Sequence, residues 1–230
     1  MDGLARASVD ARLDLRAIEA SLRRVQDFLA TAGDPRDPLD ARVLANLLVG
    51  YSRVDALVGA AVDVLAMGRL KHLLELNSLV LCGDSPDRQA AYARHLEATE
   101  RRFYGQSGEG AEGVGRVVEW AAAHAEERPR ERAAGAYVML LSRPQLFIEG
   151  NHRTGALVMS CLLVRAGLPP FVLSPESAGS YFELSTAIRD TAKTGAANRF
   201  RLAALQARMA ALLDEHADPQ HLIAGGLAPV

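Results

Sequence analysis

The stretch Gln145-Leu-Phe-Ile-Glu-Gly-Asn-His-Arg-Thr-Gly-Ala156 gathers an amide, a carboxylate, an imidazole and a guanidinium around a glycine, directly ahead of a long apolar run. Gly150 lets the chain turn tightly and leaves consecutive N–H groups exposed where the following helix begins. Those donors, with the positive end of the helix dipole, suit a phosphate or a carboxylate. Arg153 adds a planar, permanently charged fork, and Asn151 adds a neutral donor. His152, Thr154 and Gly155 complete the candidate phosphate-binding set. Glu149 has the opposite sign, a conflict that a magnesium ion bridging its carboxylate to phosphate oxygens would resolve. A nucleotide with magnesium is the expected ligand.

Two residues here bear on catalysis, Gln145 and His152. An amide cannot take a proton near neutral pH, so Gln145 reads as a group that orients a ligand. A helix N-terminus disfavours protonation of His152, leaving an imidazole that can serve as a base or donate to the ligand. Arg153 likewise has two readings, a phosphate clamp or a structural partner of Glu149.

The same stretch resembles the signature of Fic-domain proteins, His-x-Phe-x-(Asp/Glu)-Gly-Asn-(Gly)-Arg-x-x-Arg, at Phe147, Glu149, Gly150, Asn151 and Arg153. The similarity extends through the flanking helices, roughly from Leu73 to Leu173. It implies an all-α fold, a Fic-like helical bundle around a central buried helix. It also implies transfer of AMP from ATP, with magnesium, onto a hydroxyl of a target protein. In that frame Glu149 is the magnesium ligand, Asn151 and the Gly150 backbone hold the phosphates, Arg153 clamps them, and Phe147 anchors the core.

Three positions depart from the signature. The catalytic histidine is replaced by Gln145, the second glycine by His152, and the arginine that holds the γ-phosphate by Ala156. A nucleotide-diphosphate conjugate is then better matched than a triphosphate, and the implied activity is an atypical nucleotidyl- or phospho-group transferase without the usual base. The alternative is a catalytically silent Fic-fold module that holds a protein partner. The inhibitory (Ser/Thr)-x-x-x-Glu-(Gly/Asn) helix of the family has no match near the core, and its glutamate would find Ala156 where it needs an arginine.

The elements that must carry this turn follow from apolar spacing and punctuation. The central helix runs from His152 to Arg165 and is apolar all round, which predicts burial; Gly167 and Pro169-Pro170 end it. Ahead of the core, an N-terminal extension over 1–67 comprises a helix from Ser8 to Leu29, a loop at 32–38, and a helix from Leu39 to Met67 bent near Gly50. These helices offer a cap on the core or a homodimer surface. The core domain, 68–215, begins with helices from Arg69 to Cys82 and from Pro86 to Arg102. The glycine-rich stretch 103–115 reads as a flexible surface loop, and the resemblance to Fic proteins implies a target-binding flap at the same place. Helices from Arg116 to Glu127, bearing Trp120, and from Pro129 to Ser142 lead into the turn. Ser174-Pro175-Glu176 caps a helix carrying Tyr181 and Phe182, and a last helix spans Arg199 to Leu213. Residues 216–230 read as a frayed tail.

Composition narrows the function classes. The chain has 230 residues, 49% of them hydrophobic and 5% aromatic, enough for a full core. Its net charge of -2 comes from interspersed acids and bases, which argues against nucleic acid or an anionic membrane as partner. Cys82 and Cys161 sit in apolar runs and read as buried thiols. Charges at Arg6, Asp10, Arg12 and Asp14 break any leader-like apolar core, and no run reaches membrane-spanning length, so the cytoplasm is the expected location. The remaining histidines lack metal-ligand spacing.

Overall fold

From Leu157 to Val164 every residue is buried in the computed structural model, and only Ser160 among them is polar. Its hydroxyl donates to the carbonyls of Ala156 and Phe171, both at 2.9 Å, so the run carries no unpaired group into the core. This is α8 (Asn151–Arg165), the axis of an all-α fold. The structure describes residues 11–32, 39–105 and 113–223.

In chain order the described helices are α1 (Leu15–Ala32), α2 (Ala41–Gly59), α3 (Lys71–Cys82), α4 (Pro86–Ala91), α5 (Ala93–Phe103), α6 (Gly113–Ala123), α7 (Pro129–Leu141), α8, α9 (Pro175–Arg189) and α10 (Ala196–Glu215). Around α8 stand α7, α2 and α3; α10 covers α7 and α9, and α1 lies on α2 and α9. The apolar faces of α1 and α2 join the same core as α8, through residues such as Ile18, Leu22, Leu47 and Val54. Among the described residues no helix is long and apolar enough to cross a membrane.

Local chemistry explains the ends of the elements that mount the turn. Asp40 caps α2 by accepting from Val43 N at 2.7 Å. Ser174 and Ser177 form a reciprocal capping box at the start of α9, with Pro175 in its first turn. Gly167, at φ 75°, ends α8 with the paired bonds Gly167 N to Val164 O and Leu168 N to Leu163 O.

The structure departs from the sequence expectations in several places. Helix α1 starts at Leu15 rather than Ser8, because Arg12–Leu13 pairs as a strand, and the helix expected over Arg116 to Glu127 runs from Gly113 to Ala123. Helix α2 passes through Gly50 without interruption; the glycine is there because a Cβ would stand 2.4 Å from Leu157 Cδ1 on α8. It stops at Gly59 rather than Met67, closed by Ala61 N to Val58 O and Val62 N to Leu57 O, with Ala61 itself at φ 54°. The helix expected through Arg102 divides at Tyr92, whose ψ of 3° breaks the run into α4 and α5. The chain end is anchored as far as Ile223: β2 (Leu222–Ile223) pairs antiparallel with β1 (Arg12–Leu13), and His221 beneath it is buried. The loop at 33–38, most of the glycine-rich stretch (106–112) and the final residues 224–230 lie outside the described residues.

Candidate functional site

The segment between α7 and α8 has no ladder of its own, so its backbone groups need partners from elsewhere. Lys193 Nζ donates to Ser142 O at 2.8 Å and also to Pro144 O. Arg102 donates through Nε and Nη2 to Gln145 O at 3.1 and 2.8 Å. Asn151 folds back on its own turn, accepting from Phe147 N at 3.0 Å and donating to Phe147 O at 2.9 Å. Asn77 on α3 donates to Glu149 O at 2.8 Å and to Thr154 Oγ1 at 3.0 Å. Four side chains, three from helices and one from the segment between α9 and α10, thus hold one turn in place.

At the centre of the turn Gly150 adopts φ 75° and ψ 9°, a left-handed conformation that side chains resist. A Cβ there would also come within 2.9 Å of Asn77 Nδ2. The first rung of α8 is Thr154 N to Gly150 O at 2.9 Å, so the N–H groups of residues 151 to 153 precede the ladder and carry the positive end of the helix dipole.

The predicted residues divide by face. Phe147 is buried and stacks on Phe103, with centroids 5.8 Å apart and planes inclined by 8°. Thr154 is buried against Asn77, and Gly155 against the Tyr137 ring, so both serve packing of the helix start. The Asn151 side chain is spent on its own turn. Arg153 does not pair with Glu149: its Nη1 donates to Val80 O on α3 at 2.9 Å, and no carboxylate among the described residues pairs with it. Glu149 instead faces His95, with Oε2 3.9 Å from Nε2, and its side chain is 62% exposed. His152 turns Nδ1 toward the Tyr137 hydroxyl at 3.3 Å, within a buried cluster where that hydroxyl also meets Tyr181 and Ser185 at 3.0 and 2.8 Å.

Two depressions flank the start of α8 and share no lining residue. An open groove of about 670 Å3 runs past Gln145, Phe147 and Ile148 and is bordered by Arg102, Arg143 and Arg189. Asp190 pairs with Arg143 at 3.0 Å and Arg189 at 3.2 Å, one acid between two bases. Apart from that groove, α1, α2, α8 and α9 enclose an apolar crevice of about 70 Å3, whose wall includes Leu22, Leu47, Tyr51, Phe171 and Phe182. His152, Arg153 and Ala156 bring α8 into that crevice.

A magnesium ion is commonly held by one or two carboxylates with phosphates and waters completing its shell. Glu149, exposed and fixed at its carbonyl by Asn77, fits such an ion as its single protein carboxylate. Among the described residues there is no cluster of three or more His, Cys, Asp or Glu able to cage a metal by themselves. When bound, the ion would neutralise charge between Glu149 and phosphate oxygens.

Asn77, Tyr137 and Ser185 are the residues of this site that the sequence reading passes over. Asn77 did carry a signal, since an asparagine within the apolar run Leu73 to Cys82 is a poor helix former that must be hydrogen-bonded once buried. Both cysteines are free and buried, and burial raises both thiols above their ordinary pKa, that of Cys161 to about 12, which disfavours the reactive thiolate. No family model, no curated protein and no solved structure matches this chain.

Proposed function

We propose that the chain binds a phosphorylated small molecule at the head of α8. Its phosphates sit on the N–H groups of residues 151 to 153 and on the Arg153 guanidinium, with magnesium between them and Glu149. The observation that carries this reading is Arg153, a half-buried residue in the first turn of α8 with no carboxylate partner among the described residues. A charge so placed is stabilised by an anion, and a guanidinium matches phosphate geometry. ATP or a nucleotide-diphosphate conjugate is the first candidate class, and the resemblance to Fic proteins supports it at Phe147, Glu149, Gly150, Asn151 and Arg153.

Transfer of AMP to a protein hydroxyl calls for a base within hydrogen-bond reach. Gln145 is an amide, and His152 has its Nδ1 on Tyr137 and its ring on the crevice side of the helix. The reading is therefore ligand binding first; any group transfer here relies on the anion site for stabilisation of developing charge.

The arginine-bordered groove favours a second reading, a silent module that docks an acidic segment of a protein partner against Ile148, which is 42% exposed. Calorimetry with pyrophosphate, ADP and ATP, each with and without magnesium, separates the two. The first reading expects binding that weakens roughly ten- to a hundredfold in Arg153→Ala, the size of a lost charge-assisted hydrogen bond. Affinity that ignores Arg153 would remove the assignment.

A further inference from the structure

The geometry points to the apolar crevice beside Arg153 as the seat of the ligand's other half, and to that half as a short alkyl or acyl group. The inference rests on the reading that phosphates bind at the head of α8, and it replaces the nucleoside of the first candidate class with a short apolar group.

The crevice and the anion site meet at His152 and Arg153, which line the one and belong to the other. Beyond them the walls are apolar: Leu22 from α1, Val43 and Leu47 from α2, Ala156 from α8, Phe182 from α9. The lining has hydroxyls, but their protons are engaged. Tyr51 donates to Phe171 O at 2.6 Å, and Tyr181 donates to His152 O at 3.4 Å. A ribose or a base placed here would leave its own polar groups unpaired, at full desolvation cost. Size agrees with that exclusion. A benzene-sized ligand needs a cavity of roughly 150 Å3, so about 70 Å3 accepts only three or four carbons.

The opening is charge-selective for the same reason that the interior is apolar. Arg153 spends one donor on Val80 O and retains others of its five for a ligand, with no carboxylate of the described residues to neutralise it. A ligand with a phosphate head and a short apolar body satisfies both ends at once: the head takes the guanidinium, and the body displaces water from the crevice. Short-chain alkyl and acyl phosphates, or the corresponding diphosphates, form that class.

The test is calorimetric titration, with magnesium present, of inorganic phosphate and of methyl, ethyl, propyl, butyl and octyl phosphate into the full chain. Affinity should rise about fourfold per methylene up to propyl or butyl, the gain expected for burying each CH2, and then level off. Ala156→Leu fills the mouth of the crevice and should abolish the rise while leaving inorganic phosphate and pyrophosphate bound as before. Val43→Phe, at another partly buried lining position, is the second such variant, and circular dichroism establishes that each is folded. An affinity flat across the series overturns the crevice assignment, while phosphate binding that still depends on Arg153 keeps the anion site. A length dependence that survives both filling variants also overturns it. Failure of every phosphate in the series to bind overturns both readings together.

Discussion

Asn77 straddles Gly150, donating to the carbonyl of Glu149 at 2.8 Å and to the hydroxyl of Thr154 at 3.0 Å. One buried amide on α3 thereby ties the residue before the left-handed glycine to the first turn of α8. Replacing it with alanine leaves the Glu149 carbonyl without its side-chain donor and removes the partner of the buried Thr154 hydroxyl. Asn77→Ala should cost about 1–3 kcal/mol, the range for a buried group that loses its partner. Urea unfolding measures this directly, and a loss below about 0.5 kcal/mol, within the range of a neutral surface change, would show that the turn holds its shape by other means.

Gly155 meets a harder constraint. A Cβ on it would stand 2.5 Å from Tyr137 Cδ2, and the Tyr137 ring is fully buried with its hydroxyl held by Tyr181 and Ser185. Neither partner can give way cheaply. Gly155→Ala should therefore destabilise by about 1–3 kcal/mol through overpacking. Gly179, within α9, has nothing within 4 Å of its would-be Cβ. There the same change should stabilise by about 0.5–1 kcal/mol through helix propensity alone. Equal effects at both positions, in thermal or urea unfolding, would contradict the packing argument.

What can be read from the sequence divides along the same line, between causes that are local and causes that lie across the core. The two ends of α8 are legible because Gly150 and Gly167 act on their own backbone, and the start of α9 is legible because Ser174 and Pro175 cap it from within. The burial of α8 is legible because its apolar run leaves no polar face. Gly50 misleads, since its reason is Leu157 on another helix, and a bend is the natural but wrong inference from an isolated helical glycine. The pairing of Arg153 is illegible for a similar reason: its acceptor is a backbone carbonyl, Val80 O, 73 residues away, and carbonyls have no residue-type signature. Nor does spacing tell that His152 and Gln145 line two separate depressions beside one helix start.

The end of α2 offers a stability prediction that no ligand enters. Ala61 sits at φ 54° in the closing position of the helix, the place glycine usually takes, while Arg165 Nη1 donates to its carbonyl at 2.7 Å. A left-handed alanine costs about 1–2 kcal/mol, and a glycine returns part of that through its greater freedom in the unfolded chain. Ala61→Gly should stabilise the protein by about 0.5–1 kcal/mol. A drop in the unfolding midpoint would mean that the alanine methyl contributes packing which its exposed position does not suggest.

His221 links the two ends of the described chain and should make their attachment sensitive to acid. Its Nε2 lies 2.9 Å from Ser21 Oγ, which also accepts from Arg24 Nη2, and its buried Nδ1 has no partner among the described residues. Burial holds the imidazole below its ordinary pKa of 6.5; the charge of Arg24 lowers it further, and Asp218 and Asp14 oppose the shift. Above about pH 6.5 the ring is neutral in both folded and unfolded chains, so its contribution to stability is complete. As pH falls below that value the unfolded chain takes the proton first, and stability declines until the folded form is protonated too. The slope for one such group is at most about 1.4 kcal/mol per pH unit. Urea midpoints compared between wild type and His221→Gln from pH 7.5 to 5 isolate this contribution, because the other histidines and the carboxylates are common to both proteins. The wild type should lose stability more steeply than the variant below pH 6.5, and parallel profiles would show that His221 accepts its proton in the folded state without hindrance.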